Sequence, residues 1–157
     1  RKEIPDIILR TTLITGFPGE KDEDHKELVE FIDKMRFDRL GVFVYSPEEG
    51  TKAADFHSQV SDEIKQVRKD ELMMHQQKIA YEKAKQLIGK RMTVLVEGYI
   101  TEEDIYVGRT YMDSPNVDGC VFFKGYSGII SGTLLPIQIT EANEYDLIGE
   151  LLEEMYE

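Results

Sequence analysis

Ile7-Ile8-Leu9-Arg10-Thr11-Thr12-Leu13-Ile14-Thr15 runs directly into Gly16-Phe17-Pro18-Gly19-Glu20, and these two segments decide the fold of the first half of the chain. The first is rich in β-branched residues and apolar on both faces, the pattern of a buried parallel strand. The second holds too much Gly and Pro to continue as strand or helix, so it reads as a turn. Beyond it come the acidic residues Asp22-Glu23-Asp24, then Leu28, Phe31, Ile32 and Met35. Apolar residues at i, i+3, i+4 and i+7 predict a helix of about four turns with one apolar stripe. Carboxylates in its first turn, with Lys34 and Arg36 in its last, complement the helix dipole.

A second strand is expected over residues 39–45, closed by Ser46-Pro47-Glu48-Glu49-Gly50. From residue 61 to 88 the pattern is helical again. Val60, Val67, Met74, Tyr81 and Ile88 recur every seventh residue, Ile64 and Ala84 stand beside them, and Glu71 and Lys78 fall on the polar side. Gly89 is placed to end this helix, because Gly enters the left-handed conformation without steric cost. Strand, helix, strand, helix in that order implies parallel strands. Two such units cannot close a barrel, so residues 1–90 are expected to be the tail of a larger α/β layer.

After Gly89 the pattern changes to short strands, expected at 92–97, 105–111, 119–124, 133–141 and 145–151. Five strands at this spacing in about 60 residues predict a small closed antiparallel β-barrel, OB-like or SH3-like. Pro136 points to an edge position or a bulge, since proline donates nothing to a ladder.

The 157 residues carry a formal charge of −12, unevenly spread. Residues 1–90 hold 16 basic and 18 acidic side chains, whereas residues 91–157 hold three and 13, a net −10. So negative a module repels phosphate backbones, which proteins neutralise with Lys and Arg. Apolar residues at 41% suffice for a packed core and exceed what a disordered chain carries. No run approaches the ~20 apolar residues of a membrane helix. One cysteine, Cys120, forms no intrachain disulfide and no multi-cysteine metal site. A reduced, cytoplasmic setting fits so low a cysteine count, and no signal peptide is visible. The chain opens on Arg1, with a strand close behind, which suggests a piece of a longer protein.

The turn Gly16, Phe17, Pro18, Gly19, Glu20 lies where open α/β folds bind ligands, beyond the carboxyl end of a strand. Glycines there admit close backbone approach to a cofactor. It is not a phosphate loop, since no Gly-Lys-Ser/Thr follows. Tyr45 and Ser46 end the second strand and share this rim if the strands are parallel. An ordinary strand-to-helix turn and a plain loop explain the same residues. Adjacent Glu48 and Glu49 point apart on an extended segment and make no acid/base pair. His25, His57 and His75 lack ligand spacing and read as surface or packing residues. Ser46 and Ser127 lack a nucleophile elbow. Cys120 reads as a core thiol within an apolar strand. The residues alone support no complete catalytic constellation and no metal site.

Several segments together resemble radical S-adenosylmethionine (SAM) methylthiotransferases. They are Leu9-Arg10-Thr11-Thr12-Leu13-Ile14-Thr15-Gly16-Phe17-Pro18-Gly19-Glu20, Arg36-Phe37-Asp38-Arg39-Leu40-Gly41-Val42-Phe43 and Tyr45-Ser46-Pro47-Glu48-Glu49-Gly50-Thr51. Tyr106-Val107-Gly108-Arg109-Thr110-Tyr111, Asp118-Gly119 and Glu144-Tyr145-Asp146-Leu147-Ile148-Gly149-Glu150 extend the match, which resembles the RimO branch in particular. The resemblance implies the last βα units of a radical SAM barrel over residues 1–90. A five-stranded antiparallel, OB-like TRAM barrel would follow over 91–157.

It further implies an enzyme that methylthiolates the β-carbon of an aspartate in a small-subunit ribosomal protein near the decoding centre. The C–H bond there is not acidic enough for base chemistry, so a radical is needed. SAM and two 4Fe-4S clusters would serve the parent protein. One cluster is held by Cys-x-x-x-Cys-x-x-Cys and cleaves SAM to a 5′-deoxyadenosyl radical, and the other is held by N-terminal cysteines and takes part in sulfur delivery. Neither cysteine set occurs here, so this chain alone is expected to be inactive, with no catalytic residue or metal ligand of its own. Gly16, Phe17, Pro18, Gly19, Glu20, Tyr45 and Ser46 would lie at the SAM site. Lys21 stands where the family commonly has a helix-capping Thr, and Asp22 is expected to take over the cap. The alternatives are the tRNA-modifying MiaB branch, whose TRAM is expected to be basic, or an RNA-binding TRAM module. The charge of residues 91–157 favours docking on a basic ribosomal protein, with no membrane partner.

Overall fold

The structure, a computed structural model, describes residues 1–152. The chain divides into two compact units, Arg1–Ile79 and the residues from Ala80 onward, with the boundary inside the second helix.

The first unit opens with strand β1 (Arg10–Thr15), helix α1 (Asp22–Met35) and strand β2 (Arg39–Val44). A short 3-10 turn (Lys52–Asp55) and helix α2 (Asp62–Lys85) follow. β1 and β2 pair in parallel, from Arg10 opposite Arg39 to Thr15 opposite Val44. β1 begins at Arg10, three residues later than the apolar run predicts, because pairing starts where β2 does. Leu9 already turns toward that partner, its carbonyl accepting from Asp38 and Arg39 N–H and its N–H donating to the Asp38 carboxylate.

At the start of α1 the expectation for Asp22 is corrected. The cap is made by Asp24, whose carboxylate accepts the Lys21 N–H at 2.8 Å, half of a capping box. Asp22 is drawn instead to Arg68 of α2. The core of this unit joins Ile32 of α1, Val42 of β2 and Leu72 and Ile79 of α2. The opposite face of the two-stranded sheet leaves Ile14 and Phe43 exposed.

α2 turns the other way round from the heptad pattern. Val67 is 62% and Met74 64% exposed, whereas Leu72 is fully buried. The buried stripe is Lys65, Arg68, Leu72, Gln76 and Ile79. Its charged members are paired, Lys65 Nζ donating to Asp62 and Arg68 to Glu20 and Asp22, while Gln76 Nε2 donates to the Phe37 carbonyl at 3.0 Å and its Oε1 is buried without a partner. Leu72 and Ile79 are also seven apart, so two heptads compete, and the pairs available to Arg68 and Gln76 choose between them.

The second unit holds strands β3 (Arg91–Ile100), β4 (Ile105–Arg109), β5 (Val121–Lys124), β6 (Leu134–Ala142) and β7 (Leu147–Leu151). They close a barrel in the order β3-β4-β5-β7-β6, the Greek-key ring of the OB type. Four neighbouring pairs are antiparallel, but β5 and β7 run parallel, from Val121 opposite Leu147 to Lys124 opposite Glu150. This corrects the expectation of an antiparallel barrel, and the reason is one of parity. Directions cannot alternate all the way round a ring with an odd number of strands.

Met92, Val94 and Val96 of β3 alternate into the core, meeting Tyr106, Val121, Phe123, Ile137, Ile139 and Leu147. Gly149 has no room for a side chain, since a Cβ there would lie 2.7 Å from the Gln138 carbonyl oxygen. Pro136 is neither on a free edge nor in the β6 bulge, which falls between Ile139 and Glu141. It pairs with Thr93 of β3 and lies one residue beyond the last β6–β7 pair, Ile137–Leu151, where its carbonyl accepts from Leu152 N–H, so the donor it lacks falls at the end of that ladder. Cys120 precedes β5 rather than lying within it and is only partly buried. No described helix is long and apolar enough to cross a membrane.

The orientation of α2 is tested by urea denaturation of two variants. Leu72→Ala is expected to cost about 2–5 kcal/mol, while Met74→Ala stays within about 0.5 kcal/mol of the parent. The heptad orientation demands the reverse.

Candidate functional site

Because β1 and β2 are parallel, their carboxyl ends meet on one rim. Tyr45 N–H donates to the Thr15 carbonyl at 2.9 Å, which sets Tyr45 beside the start of the Gly16–Glu20 turn. The Phe17 ring stands edge-on to Tyr45, centroids 5.2 Å apart, and edge-on to Phe56 at 6.4 Å. Gly19 N–H donates to the Ser58 carbonyl at 2.8 Å, and Glu20 N–H closes the turn onto the Phe17 carbonyl. Gly16 has φ +74°, and the aliphatic chain of Lys65 crosses the space where a Cβ would project. The Lys65 ammonium lies 5.6 Å from the centre of the Tyr45 ring and pairs with Asp62.

Glu20 is the strut of this turn. Its carboxylate accepts from Gly16 N–H at 2.8 Å, Thr15 Oγ1 at 3.2 Å and Arg68 Nη1 at 2.7 Å. Arg68 Nη2 reaches Asp22 at 2.8 Å. Burial pulls the guanidinium pKa down, but the hydrogen bond it donates to Asp22 and the charge and accepting carboxylate of Glu20 outweigh it. The net result lies above the ordinary arginine value. Arg68 therefore stays charged throughout the accessible pH range.

Gly16, Phe17, Glu20 and Tyr45 are thus brought together. Pro18 is buried within the turn and Ser46 is exposed just beyond β2. The Tyr45 hydroxyl is buried without a hydrogen-bond partner, a polar atom with capacity to spare. Thr15, Phe56, Ser58, Lys65 and Arg68 complete the rim and were missed in the sequence. Lys65 and Arg68 did carry a signal, since they sit three apart and in phase with Leu72 and Ile79.

His25 packs under α2, its Nε2 sharing a hydrogen bond with Glu71 at 2.8 Å, and His75 Nδ1 meets Asp33 at 3.1 Å on the surface. His57 is exposed. Among the described residues no group of three His, Cys, Asp or Glu side chains converges as a metal site requires.

On the barrel, several carboxylates serve the backbone. Asp113 accepts from Thr110 N–H and Oγ1, Asp118 from Ser114 N–H, and Asp146 from Cys120 N–H. Glu102, Glu103, Asp104, Glu141, Glu144 and Glu150 face solvent. The described basic side chains here are Arg91, Arg109 and Lys124, and Glu97 engages Arg109 at 2.7 Å. Burial, then the charges of Asp146, Glu97 and Asp113, raise the Cys120 thiol pKa.

Two measurements follow. Arg68→Met leaves the buried Glu20 carboxylate without its cation and is expected to cost about 3–5 kcal/mol in urea denaturation. Asp22→Ala removes a largely exposed partner and costs less than about 1 kcal/mol. A raised thiol pKa means less thiolate at pH 8, so iodoacetamide should alkylate Cys120 more slowly than free cysteine, with the rate still climbing above the ordinary thiol range.

Residues 88–152 match the model of the TRAM domain. Curated relatives match nearly the whole chain. A protein of Lachnoclostridium phytofermentans named ribosomal protein uS12 methylthiotransferase RimO is 54% identical over 149 residues, 95% of this chain and 34% of that protein. Proteins of the same name from Clostridium kluyveri and Clostridioides difficile are 47% and 46% identical, over 98% and 99% of this chain and 34% and 35% of their own. The chain spans about a third of the length of these relatives. In its two consecutive α/β units, its OB-type barrel and this continuous similarity, the chain corresponds to a C-terminal segment of RimO that includes the TRAM domain.

Proposed function

We propose that this chain is part of an enzyme that methylthiolates the β-carbon of an aspartate in a small-subunit ribosomal protein, using radical SAM chemistry. The observation that carries the reading is the similarity to proteins named uS12 methylthiotransferases over 95% or more of the chain. The local geometry supports it. Two parallel strands set a glycine turn and an aromatic residue on one rim, and the sheet face bearing the apolar Ile14 and Phe43 is uncovered, as the inner face of a partial barrel would be. The division we propose is a barrel segment over residues 1–90 and the TRAM domain over 91–157.

The rim fits a nucleoside cofactor in part. Gly16 through Gly19 would hold SAM through their backbone, Phe17 and Tyr45 would flank it with aromatic surface, and Ser46 would lie at its edge. The unpartnered Tyr45 hydroxyl supplies an available hydrogen bond. Glu20, fully engaged by Gly16, Thr15 and Arg68, holds the turn in shape rather than binding the cofactor itself. SAM chemistry, when the cofactor is bound, supplies hydrogen abstraction from a carbon that no side-chain base can deprotonate. Iron–sulfur clusters do not fit this chain, because they take several thiolates and Cys120 is its single thiol. The chain alone is expected to be inactive.

The acidic barrel is the docking module for the basic substrate. Opposite charge steers encounter and rejects wrong partners, and the same charge disfavours tRNA. The protein is taken to work in the cytoplasm, where ribosomes and reduced thiols are found.

Two experiments test this reading. Anaerobic iron–sulfur reconstitution of this chain should yield no charge-transfer band, and a stoichiometric cluster would overturn its assignment as a ligand-free segment. In titrations at about 0.15 M salt, the chain should bind isolated uS12 and leave tRNA free. Tight, strongly salt-dependent tRNA binding would favour the MiaB-type alternative.

A further inference from the structure

One end of the barrel is built differently from the rest of its surface. There a column of three rings runs outward from the core. Phe123 stacks on Tyr106 with centroids 5.7 Å apart, and Tyr106 lies 4.8 Å from Tyr99. Phe123 and Tyr106 are buried, but Tyr99 at the head of the column is 46% exposed. Its hydroxyl donates to Asp104 in the β3–β4 hairpin, which fixes the ring from the far side.

The Tyr106 hydroxyl donates in turn to the Tyr126 carbonyl at 3.0 Å and so anchors the 125–132 loop to the same column. Gly125 permits that close approach, since a Cβ would lie 2.6 Å from Ile129 and 3.2 Å from Tyr106. The loop is thus held by its backbone and by Ile129, while the Tyr126 ring is 64% exposed and Ile130 is also exposed. Beside Tyr99 the hairpin carries Glu102, Glu103 and Asp104, all exposed.

An exposed apolar patch with a charged rim marks an interaction surface. Tyr99, already held by the Tyr106 ring and Asp104, loses little side-chain freedom on binding, and Tyr126 projects from a loop whose backbone is anchored. We propose that this barrel end, with Tyr99 and Tyr126 as stacking platforms and Glu102 and Glu103 as counter-charges, receives arginine and lysine side chains of a basic polypeptide. Cations pack favourably over tyrosine faces, and guanidinium pairs with carboxylates in a defined plane. Nucleic-acid bases also stack on tyrosine, but their phosphates would meet three hairpin carboxylates. Lys124, at the head of the loop, stands opposite Glu150 in the β5–β7 register, and Arg109 is engaged by Glu97. A second copy of the chain, as acidic as the first, would be repelled. The inference rests on the proposed docking of the barrel on a ribosomal protein and names the surface that does it.

The test is a titration of the full chain with isolated uS12 at several salt concentrations, with a uridine oligonucleotide as the second probe. Tyr126→Ala removes only an exposed ring, because the loop is anchored by the Tyr126 carbonyl. For Tyr99→Ala, circular dichroism and the melting temperature show whether the barrel is intact. Each variant is expected to weaken uS12 binding about fivefold to tenfold. Tyr111→Ala, beyond the opposite end of β4, should change it less than twofold. The pair Glu102→Gln and Glu103→Gln should flatten the salt dependence. If the parent chain binds uS12 and both tyrosine variants bind within twofold of it, this surface is wrong and the proposed function stands. If the parent chain does not bind uS12, both readings fall. Tyrosine-dependent binding of the oligonucleotide in preference to uS12 would overturn the choice of occupant.

Discussion

The carboxylate of Glu20 is the point on which the first unit is assembled. It closes the turn after β1 by accepting from Gly16 N–H and Thr15 Oγ1, and it draws Arg68 of α2 into the interior. A buried guanidinium without partners would be costly, so its two carboxylates and their hydrogen bonds are what permit the burial. The rotation of α2 follows from this pair. With Arg68 facing inward, Lys65 must cross Gly16, and Leu72 and Ile79 must enter the core. Val67 and Met74 are then left facing solvent. The rim that carries the candidate cofactor site is therefore shaped by a helix more than forty residues away in sequence.

The barrel is governed by a geometric constraint rather than by one bond. A closed ring of five strands has to contain a parallel pair, and β5 and β7 supply it because the β6–β7 hairpin returns into the gap beside β5. Close backbone approaches at Gly149 and Gly125 allow the ring to be tight and its 125–132 loop to sit against Tyr106. A part of the acidity that dominates the composition is structural at this level, since Asp113, Asp118 and Asp146 receive backbone N–H groups where turns would otherwise leave them unpaired. The carboxylates of Glu102 and Glu103 are different. They stand in solvent beside Tyr99, whose ring is held by Tyr106 and Asp104, which is a surface suited to recognition.

Much of this was legible in the sequence. The alternation of Met92, Val94 and Val96, the stripe of Leu28 and Ile32, and the Gly-Pro turn after Thr15 each reflect a local period or backbone preference, and each element formed where that pattern placed it. The candidate rim was legible as a position, because parallel strands bring Gly16–Glu20 and Tyr45 to the same end. What was not legible depended on partners distant in the chain. Asp22 has the right chemistry for a cap, yet Arg68 competes for it and Asp24 caps instead. Cys120 reads as part of an apolar strand, but its N–H is taken by Asp146 and β5 begins one residue later.

Sequence by itself determined the order of the elements, the change to short strands after Gly89, the anionic character of residues 91–157 and the placement of glycine at the turn. These are set by side-chain chemistry acting over a few neighbouring residues, or by simple counting. Only the tertiary structure decided which of two heptads α2 buries, which acid caps α1, that Glu20 is a strut, and where tyrosines and carboxylates share a surface. Those outcomes are settled by competition among groups far apart along the chain, each seeking the pairing that makes its burial least costly, and no local period records who wins.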